Sequence, residues 1–336
     1  MARFARFAWA LLGVDVAVVA WGAYVRATGS GAGCGAHWPF CNGAVIPRAP
    51  RIETLIELSH RLSSGLALAL TVALLVWAFR AYPRGHVVRA GAAITTGLML
   101  GEALIGAGLV LFQLVAHDES MKRAMSVSLH MCNTFLLLGA TALTAWWASG
   151  GPRLRLRGQG AVAWTLGVPL AAMFFVGVSG TVNALGDTLF PPASLAAGLA
   201  QDFAPGGHLF VRLRTIHPFL ALSTAAAIVV AGGLVRALRP SRAVRLFSRA
   251  AAALVVVQVA AGLLDVALLA PIWLQLLHLV LADSVWILLV LTTASALGVS
   301  VEKSGEAGQG EDTAGQGALE TSSGGAPPKS RTPVAW

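Results

Sequence analysis

Long apolar runs separated by short polar segments dominate the first 300 residues of this chain. Eight runs approach the roughly 20 residues that an α-helix needs to cross the hydrocarbon core of a membrane. The pattern therefore predicts eight transmembrane helices, at residues 7–24, 55–79, 90–115, 127–147, 162–180, 211–235, 250–269 and 273–298. Residues 301–336 are rich in Gly, Ser, Glu and Pro without an apolar period, so we expect a disordered cytoplasmic tail there.

Composition agrees with an all-α integral membrane protein. Hydrophobic residues form 56% of the chain and charged residues only 12%, against about 25% charged residues in soluble globular proteins. This balance excludes a water-soluble enzyme. The net charge of +9 does not indicate nucleic-acid binding, because the basic residues lie in short segments between apolar runs. We expect membrane lipid around the chain and no nucleic-acid partner.

The basic residues also predict an orientation. Of the 24 Lys and Arg, 16 lie at the two chain ends and in the alternate loops near residues 80–89, 153–157 and 236–249. Since such residues accumulate on the cytoplasmic side, both termini are predicted to be cytoplasmic. The first run has no convincing cleavage site and no transit segment before it, so we expect a first helix in a bacterial cell membrane.

The two halves of the chain resemble each other weakly. The matched pairs, 148 to 157 residues apart, are Gly22 with Gly177, His60 with His217, Glu102 with Gln258, Gly106 with Gly262, and His130 with His278. Each half has four predicted helices, so the repeat would be parallel. We predict two four-helix bundles, residues 1–150 and 151–300; chance similarity among Ala/Leu/Gly-rich helices is the alternative.

Four of the eight histidines fall inside predicted helices: His60, His130, His217 and His278. Each lies about five residues past its predicted helix start, or about 8 Å deep at about 1.5 Å per residue. Two per bundle can face each other across a core, where imidazole is a common metal ligand. Neither pair has thiolates or carboxylates to complete a tetrahedral site, whereas heme needs only two axial ligands. Heme ligation is favoured over structural histidines hydrogen-bonded between helices.

One of these histidines has a carboxylate beside it. Glu57 precedes His60 by three residues and lies on the same helix face, where burial would let it exchange protons near neutral pH. Capping of the second helix is the alternative. The second half instead has Arg214 three residues before His217. This difference predicts chemistry in the first half and a bound cofactor in the second.

Other charged residues lie near or inside the predicted helices. Three arginines are placed to meet heme propionates, or only to extend toward the interface: Arg61, Arg212 and Arg214. Four acidic residues inside the spans receive no role: Asp15, Glu102, Asp265 and Asp283.

Two cysteines, Cys34 and Cys41, lie in the Gly-rich first outer loop. The outer side is oxidising, so a disulfide would persist there, and we expect it to be exposed and labile. It would be either a structural staple or a redox-active pair that passes electrons toward the first bundle. Cys132 is expected to pack as a small apolar residue.

These motifs together resemble the heme A synthases, of the bacterial type with a cysteine pair in the first outer loop. The resemblance covers residues 1–298 and rests on four elements: Thr-Gly-Ser-Gly…Cys…Trp-Pro…Cys in that loop, Glu57-Leu-Ser-His60-Arg61-Leu, His130-Met-Cys-Asn, and the two later histidines. It implies oxidation of the heme O methyl group to a formyl group, through hydroxylation, which gives heme A for terminal oxidases.

Residue by residue, the resemblance implies that Glu57 is the catalytic carboxylate and that Cys34–Cys41 is the disulfide. It implies substrate heme between His60 and His130, and heme b on His217 and His278. The farnesyltransferase that forms heme O becomes a candidate partner. The chain departs from the family in the outer loop after the fifth helix, which has no cysteine pair, so a redox role is available only to the first loop.

Three other classes explain part of the pattern. A transporter built from parallel repeats would want discontinuous helices and a polar site at the midplane. A membrane electron-transfer subunit of the cytochrome b type explains the histidines but leaves Glu57 and the cysteines without a role. A thiol oxidoreductase explains the cysteines but not four matched histidines.

Overall fold

A computed structural model describes residues 1–298, and these residues fold into helices without β-strands. The tail predicted at residues 301–336 lies outside the described residues. The helices are α1 (Ala2–Ala27), α2 (Ile52–Ala81), α3 (Val87–Leu111), α4 (Met121–Ala148), α5 (Ala161–Leu189), α6 (Leu195–Asp202), α7 (Leu209–Leu213), α8 (Ile216–Leu238), α9 (Arg242–Ala267) and α10 (Ile272–Leu297).

Eight segments within the described residues are long and apolar enough to cross a membrane. They are α1 to α5, α9, α10, and the combined segment Leu209–Leu238 that contains α7 and α8. The predicted all-α, multi-pass membrane protein is therefore confirmed. Several helix ends differ from the prediction, because polar residues that look like loop positions continue a helix. Asn183 and Asp187 extend α5 to Leu189, and the Asn183 amide donates to Asp187 at 3.0 Å.

The sixth predicted helix is interrupted at its start. α7 ends at Leu213 and α8 begins at Ile216, directly before His217. Arg214 at the break is buried, and its guanidinium donates to Asp187 at 2.9 Å and to Asp202 at 3.0 Å. Because apolar residues lie on both sides of the break, hydropathy alone does not reveal it.

The helices pack as two four-membered rings. In the first ring α1 contacts α2, α2 contacts α3, α3 contacts α4, and α4 returns to α1. In the second, α5, α8, α9 and α10 close in the same way. α4 packs on α5 and α10, and α1 packs on α10, so the rings share a broad contact and residues Met1–Gly298 form one compact unit. The predicted repeat and the boundary between residues 150 and 151 stay predictions.

The main apolar core lies where the rings meet. Phe135 of α4 stacks on Trp286 of α10 with ring centroids 5.0 Å apart, and the Trp286 indole N–H donates to the Phe135 carbonyl at 2.6 Å. Leu12, Met173 and Ile228 pack into the same cluster from α1, α5 and α8. Buried aromatic pairs of this kind stabilise beyond their area alone, so this contact fixes the two rings against each other.

Candidate functional site

The first loop carries a disulfide and is docked on the start of α2. Cys34 and Cys41 are bonded, which confirms the predicted pair, and both are buried at 0% and 1% exposure. The expectation of an exposed disulfide was wrong. Gly33 packs on the backbone of α2 so closely that a Cβ would overlap it, and the Thr54 hydroxyl donates to the Gly33 carbonyl at 2.8 Å. A residue without a side chain thus brings the loop onto the helix.

Glu57 joins this loop to α2. It is 3% exposed, and the backbone N–H of Cys34 donates to its Oε2 at 2.7 Å. Because α2 begins at Ile52 and no side chain caps its first turn, Glu57 lies in the second turn and does not cap the helix. The capping alternative is therefore wrong, and the carboxylate is held beside the disulfide instead.

Arg61 binds the same carboxylate and the same loop. Its Nε and Nη2 donate to Glu57 Oε1 at 3.1 and 2.5 Å. Its Nη1 donates to the carbonyls of His37 at 2.7 Å and Phe40 at 2.9 Å. All three guanidinium nitrogens are engaged, so a contact with a propionate would require one of these bonds to be exchanged. Arg61 as a propionate contact stays a prediction.

Three of the four intramembrane histidines lie against a glycine of a neighbouring helix. A Cβ added to the glycine would lie 2.9 Å from the imidazole Cε1 in each of the pairs Gly22–His60, Gly180–His217 and Gly262–His278. Real Cβ contacts are not that short, so only glycine allows each ring its position. The sequence comparison matched Gly22 with Gly177, but Gly177 lies against Met131 and Phe135, and Gly180 occupies the place beside the histidine.

The histidine ring nitrogens differ in their partners. The Nδ1 atoms of His60, His130 and His278 are buried without a hydrogen-bond partner among residues 1–298, although a carboxylate oxygen of Glu102 lies 2.7 Å from His130 Nδ1. His217 Nδ1 lies 3.0 Å from Ser179 Oγ. His60 on α2 and His130 on α4 belong to the first ring of helices, and His217 on α8 and His278 on α10 belong to the second. Each ring of helices therefore contains one pair of imidazoles.

The positions of the histidines along their helices are less uniform than predicted. His60 lies eight residues after Ile52 and His130 nine residues after Met121, because α2 and α4 begin before their apolar runs. His217 lies only one residue after Ile216, since the break precedes it.

Glu102 is a site residue for which sequence analysis gave no role. Its Oε2 lies 2.7 Å from His130 Nδ1, and its Oε1 accepts from the Asn133 amide at 2.6 Å. In the second ring Gln258 Nε2 lies 3.2 Å from His278 Nε2. The repeat had already matched Glu102 with Gln258, so the signal was present in the sequence. The match could be interpreted only once the structure showed that each residue lies beside a histidine of another helix.

At the end of the second ring that carries α6 and α7, arginine side chains meet acidic and amide groups. Arg214 is bonded to Asp187 and Asp202, so a propionate role would require it to exchange partners. Arg212 is exposed and lines an open cavity of about 520 Å³ with Phe203 and Ile216. The propionate roles of both arginines stay predictions.

Arg26 links the rings at the same end. From α1 its Nη1 donates to the Ala184 carbonyl and to Thr188 Oγ1, both at 2.8 Å, and its Nη2 donates to Gln275 Oε1 at 3.1 Å. These partners belong to α5 and α10. Sequence analysis gave Arg26 no role, and nothing in its neighbourhood along the chain indicates partners about 160 and 250 positions away.

Asp15 and Asp283 make no hydrogen bond to a histidine within the described residues. Asp15 accepts from Thr141 Oγ1 at 3.3 Å, and Asp283 is 1% exposed with no hydrogen-bond partner on either oxygen within the described residues. Across residues 1–298 no group of three or more His, Cys, Asp or Glu side chains could hold a metal ion. Each histidine pair therefore offers two metal ligands and no more. This fits a metal ion whose remaining ligands come from a bound prosthetic group.

Fold and site together define a class: a helical, multi-pass membrane protein with two pairs of intramembrane histidines, one beside a disulfide loop and a buried carboxylate. Residues 5–290 match the family COX15-CtaA, described as cytochrome oxidase assembly protein. Because this match covers most of the chain, the chain belongs to the COX15-CtaA family.

Similar proteins carry two different names. A protein of Thermus thermophilus named protoheme IX farnesyltransferase is 52% identical over 309 residues, which are 91% of this chain and 51% of that protein. The chain thus spans about half the length of the first curated relatives it matches. Heme A synthases of Alkalihalophilus pseudofirmus and Halalkalibacterium halodurans are 46% and 44% identical over 91 and 97 residues. These matches cover 27% and 29% of this chain, and 31% and 33% of the two synthases.

Proposed function

We propose that this protein is a heme A synthase, a membrane-bound oxidoreductase that converts the methyl group of heme O to a formyl group through hydroxylation. The observation that carries the proposal is the buried Glu57 carboxylate, fixed three residues before His60 in the first histidine pair. Family membership and the relatives named heme A synthase support the same activity.

The two histidine pairs fit two hemes. His60 and His130 are the residues for the substrate heme, and His217 and His278 are those for a resident heme b. The fit rests on the chemistry of the donors, because each pair supplies two imidazoles without a third metal ligand within the described residues and heme needs only two axial ligands. It rests also on the glycines, which keep a side chain from the space beside three of the rings. When bound, heme b supplies one-electron redox chemistry.

The chain's own residues prepare the first site. Glu57 Oε2 accepts the Cys34 N–H and its Oε1 binds Arg61, so the carboxylate is held in one orientation. A positioned carboxylate can take up a proton released from the substrate. The loop between Cys34 and Cys41 lies on α2 above Glu57 and keeps bulk water from the carboxylate, which is 3% exposed.

Pigment analysis tests the proposal. A bacterial host that makes heme O but no heme A should contain heme A after this protein is expressed in its membranes. Heme O that stays unconverted beside a well-folded, heme-containing protein would overturn the synthase function. That result would favour the electron-transfer subunit of the cytochrome b type, which explains bound heme but not the carboxylate.

We further propose that the partner of this protein is the farnesyltransferase that forms heme O. The support is that relatives named protoheme IX farnesyltransferase contain a region 52% identical to this chain within a protein about twice the matched length. A bacterial cell membrane with both termini in the cytoplasm belongs to the same proposal, and the distribution of basic residues supports it. Co-purification from detergent with a tagged farnesyltransferase of the host tests the partnership.

A further inference from the structure

The carboxylate of Glu102 on α3 is aimed at one histidine of the first pair. Its Oε2 lies 2.7 Å from Nδ1 of His130 on α4. Its Oε1 accepts from the Asn133 amide at 2.6 Å, and Thr134 Oγ1 lies 3.2 Å from both oxygens. Three neighbours on one helix therefore hold the carboxylate in place, and Glu102 is not free to leave the imidazole.

A carboxylate and an amide differ in charge and in hydrogen-bonding role toward a neighbouring imidazole. An ionised carboxylate only accepts hydrogen bonds, so Glu102 presents an acceptor to the Nδ1 edge of His130 and leaves the Nε2 edge for another partner. Such partners orient a histidine ligand and make it a stronger donor to a metal. The Gln258 amide nitrogen instead lies 3.2 Å from the other ring nitrogen, Nε2 of His278, and carries no charge.

We propose that Glu102 is a positioning residue that fixes His130 as an axial ligand of the substrate heme, and that this charge distinguishes the first heme site from the second. The inference rests on the proposed function, because it assumes heme between His60 and His130. Negative charge beside a ligating histidine would stabilise the ferric state of a bound heme, so a heme held by His60 and His130 should have a lower reduction potential than one held by His217 and His278.

Hemin titration of purified variants tests the predicted difference in reduction potential. One histidine pair at a time is removed by mutation, so that the other can be measured alone. In a His278→Ala background, only the first pair is left to bind hemin with two histidines. There Glu102→Gln should still bind hemin but with a higher reduction potential than the parent. The control is Glu119→Gln, an exposed carboxylate in the loop before α4, which should leave the potential unchanged. Redox titration followed by optical spectroscopy measures both.

A second experiment, the exchange of Gln258 for Glu in the second ring, does not depend on whether Glu102→Gln folds. In a His130→Ala background, Gln258→Glu places a carboxylate beside His278 and should lower the potential of hemin bound to the second pair. Unchanged potentials in both exchanges, with hemin bound, would overturn the inference and leave the proposed function standing. If the folded His278→Ala protein binds no hemin while the wild-type protein does, the first pair is not a heme site, and both proposals fail.

Discussion

At the scale of single residues, Glu57 both anchors the cysteine loop and is the residue proposed to act in catalysis. Its carboxylate accepts from the Cys34 amide and from Arg61, which holds the loop, and it is also the group proposed to move a proton. A carboxylate buried with one cation and one amide donor is compensated in charge and in hydrogen bonds. Mutation must therefore separate anchoring of the loop from catalysis.

Glu57→Gln provides that separation. Glutamine keeps an acceptor for the Cys34 N–H but cannot titrate, and loss of a positioned base typically lowers the rate by roughly 10²–10⁴-fold. We expect heme A to fall accordingly while heme O accumulates and bound heme b persists, measured by pigment extraction and optical spectra.

The matched control is Arg61→Gln, which weakens the anchoring and leaves the carboxylate. Equal activities of the two variants, with equal loosening of the loop, would show that Glu57 only anchors. A loss confined to Glu57→Gln would assign it the chemistry.

The cysteines give a second prediction at this scale. Cys34 and Cys41 are bonded and Cys132 is free. Alkylation of the denatured protein in the absence of reductant should label one cysteine, and all three after reduction, as counted by mass spectrometry. Three labels without reductant would contradict the disulfide. Cys132→Ser should leave no label before reduction, which identifies the free thiol.

At the scale of the helices, close approach of glycine to histidine decides the packing. Gly262→Ala on α9 places a methyl group 2.9 Å from His278 Cε1. Overpacking of this kind costs about 1–3 kcal/mol, so we expect lower thermal stability and weakened low-spin heme absorbance from the second pair. Gly65→Ala on α2, where nothing lies within 4 Å of the added Cβ, is the control and should change neither.

The helices were largely predictable, whereas the contacts between them were not. Eight apolar runs of the required length are a direct consequence of the membrane's thickness, so their existence could be derived from hydropathy. The break before His217 could not, because Val211, Leu213 and Ile216 continue an apolar pattern across it.

Within the site, contacts between residues close in sequence could be predicted, whereas contacts between distant segments could not. The pairing of Cys34 with Cys41 is local, and it was predicted. The bond from Cys34 to Glu57, the Glu102–His130 contact and the partners of Arg26 join segments that sequence alone does not bring together. The repeat pointed to Glu102, but an offset between two halves says nothing about which helix a side chain faces.

At the scale of the whole molecule, Arg26 is a polar link between the rings. Its bonds to Ala184, Thr188 and Gln275 connect α1 with α5 and α10 at the end that carries the cysteine loop. Arg26→Met keeps much of the side chain's length and removes three hydrogen-bond donors from partly buried acceptors. Hydrogen bonds to charged groups contribute about 1.5–3 kcal/mol each, so we expect a clearly lower melting temperature in detergent. Arg48→Met in the first loop, where the side chain is exposed, serves as the comparison and should alter stability much less.

The apolar contact between α1, α4, α5 and α10 also determines how the polypeptide could be assembled. A chain cut in the connection between Ala148 and Ala161 would leave each fragment with four spanning helices and with its own half of the Phe135–Trp286 contact. Such fragments should recognise each other within a bilayer and rebuild the intact molecule when they are produced from separate genes. Co-isolation of the two pieces through a tag on one of them would measure this complementation, and Trp286→Ala should abolish it.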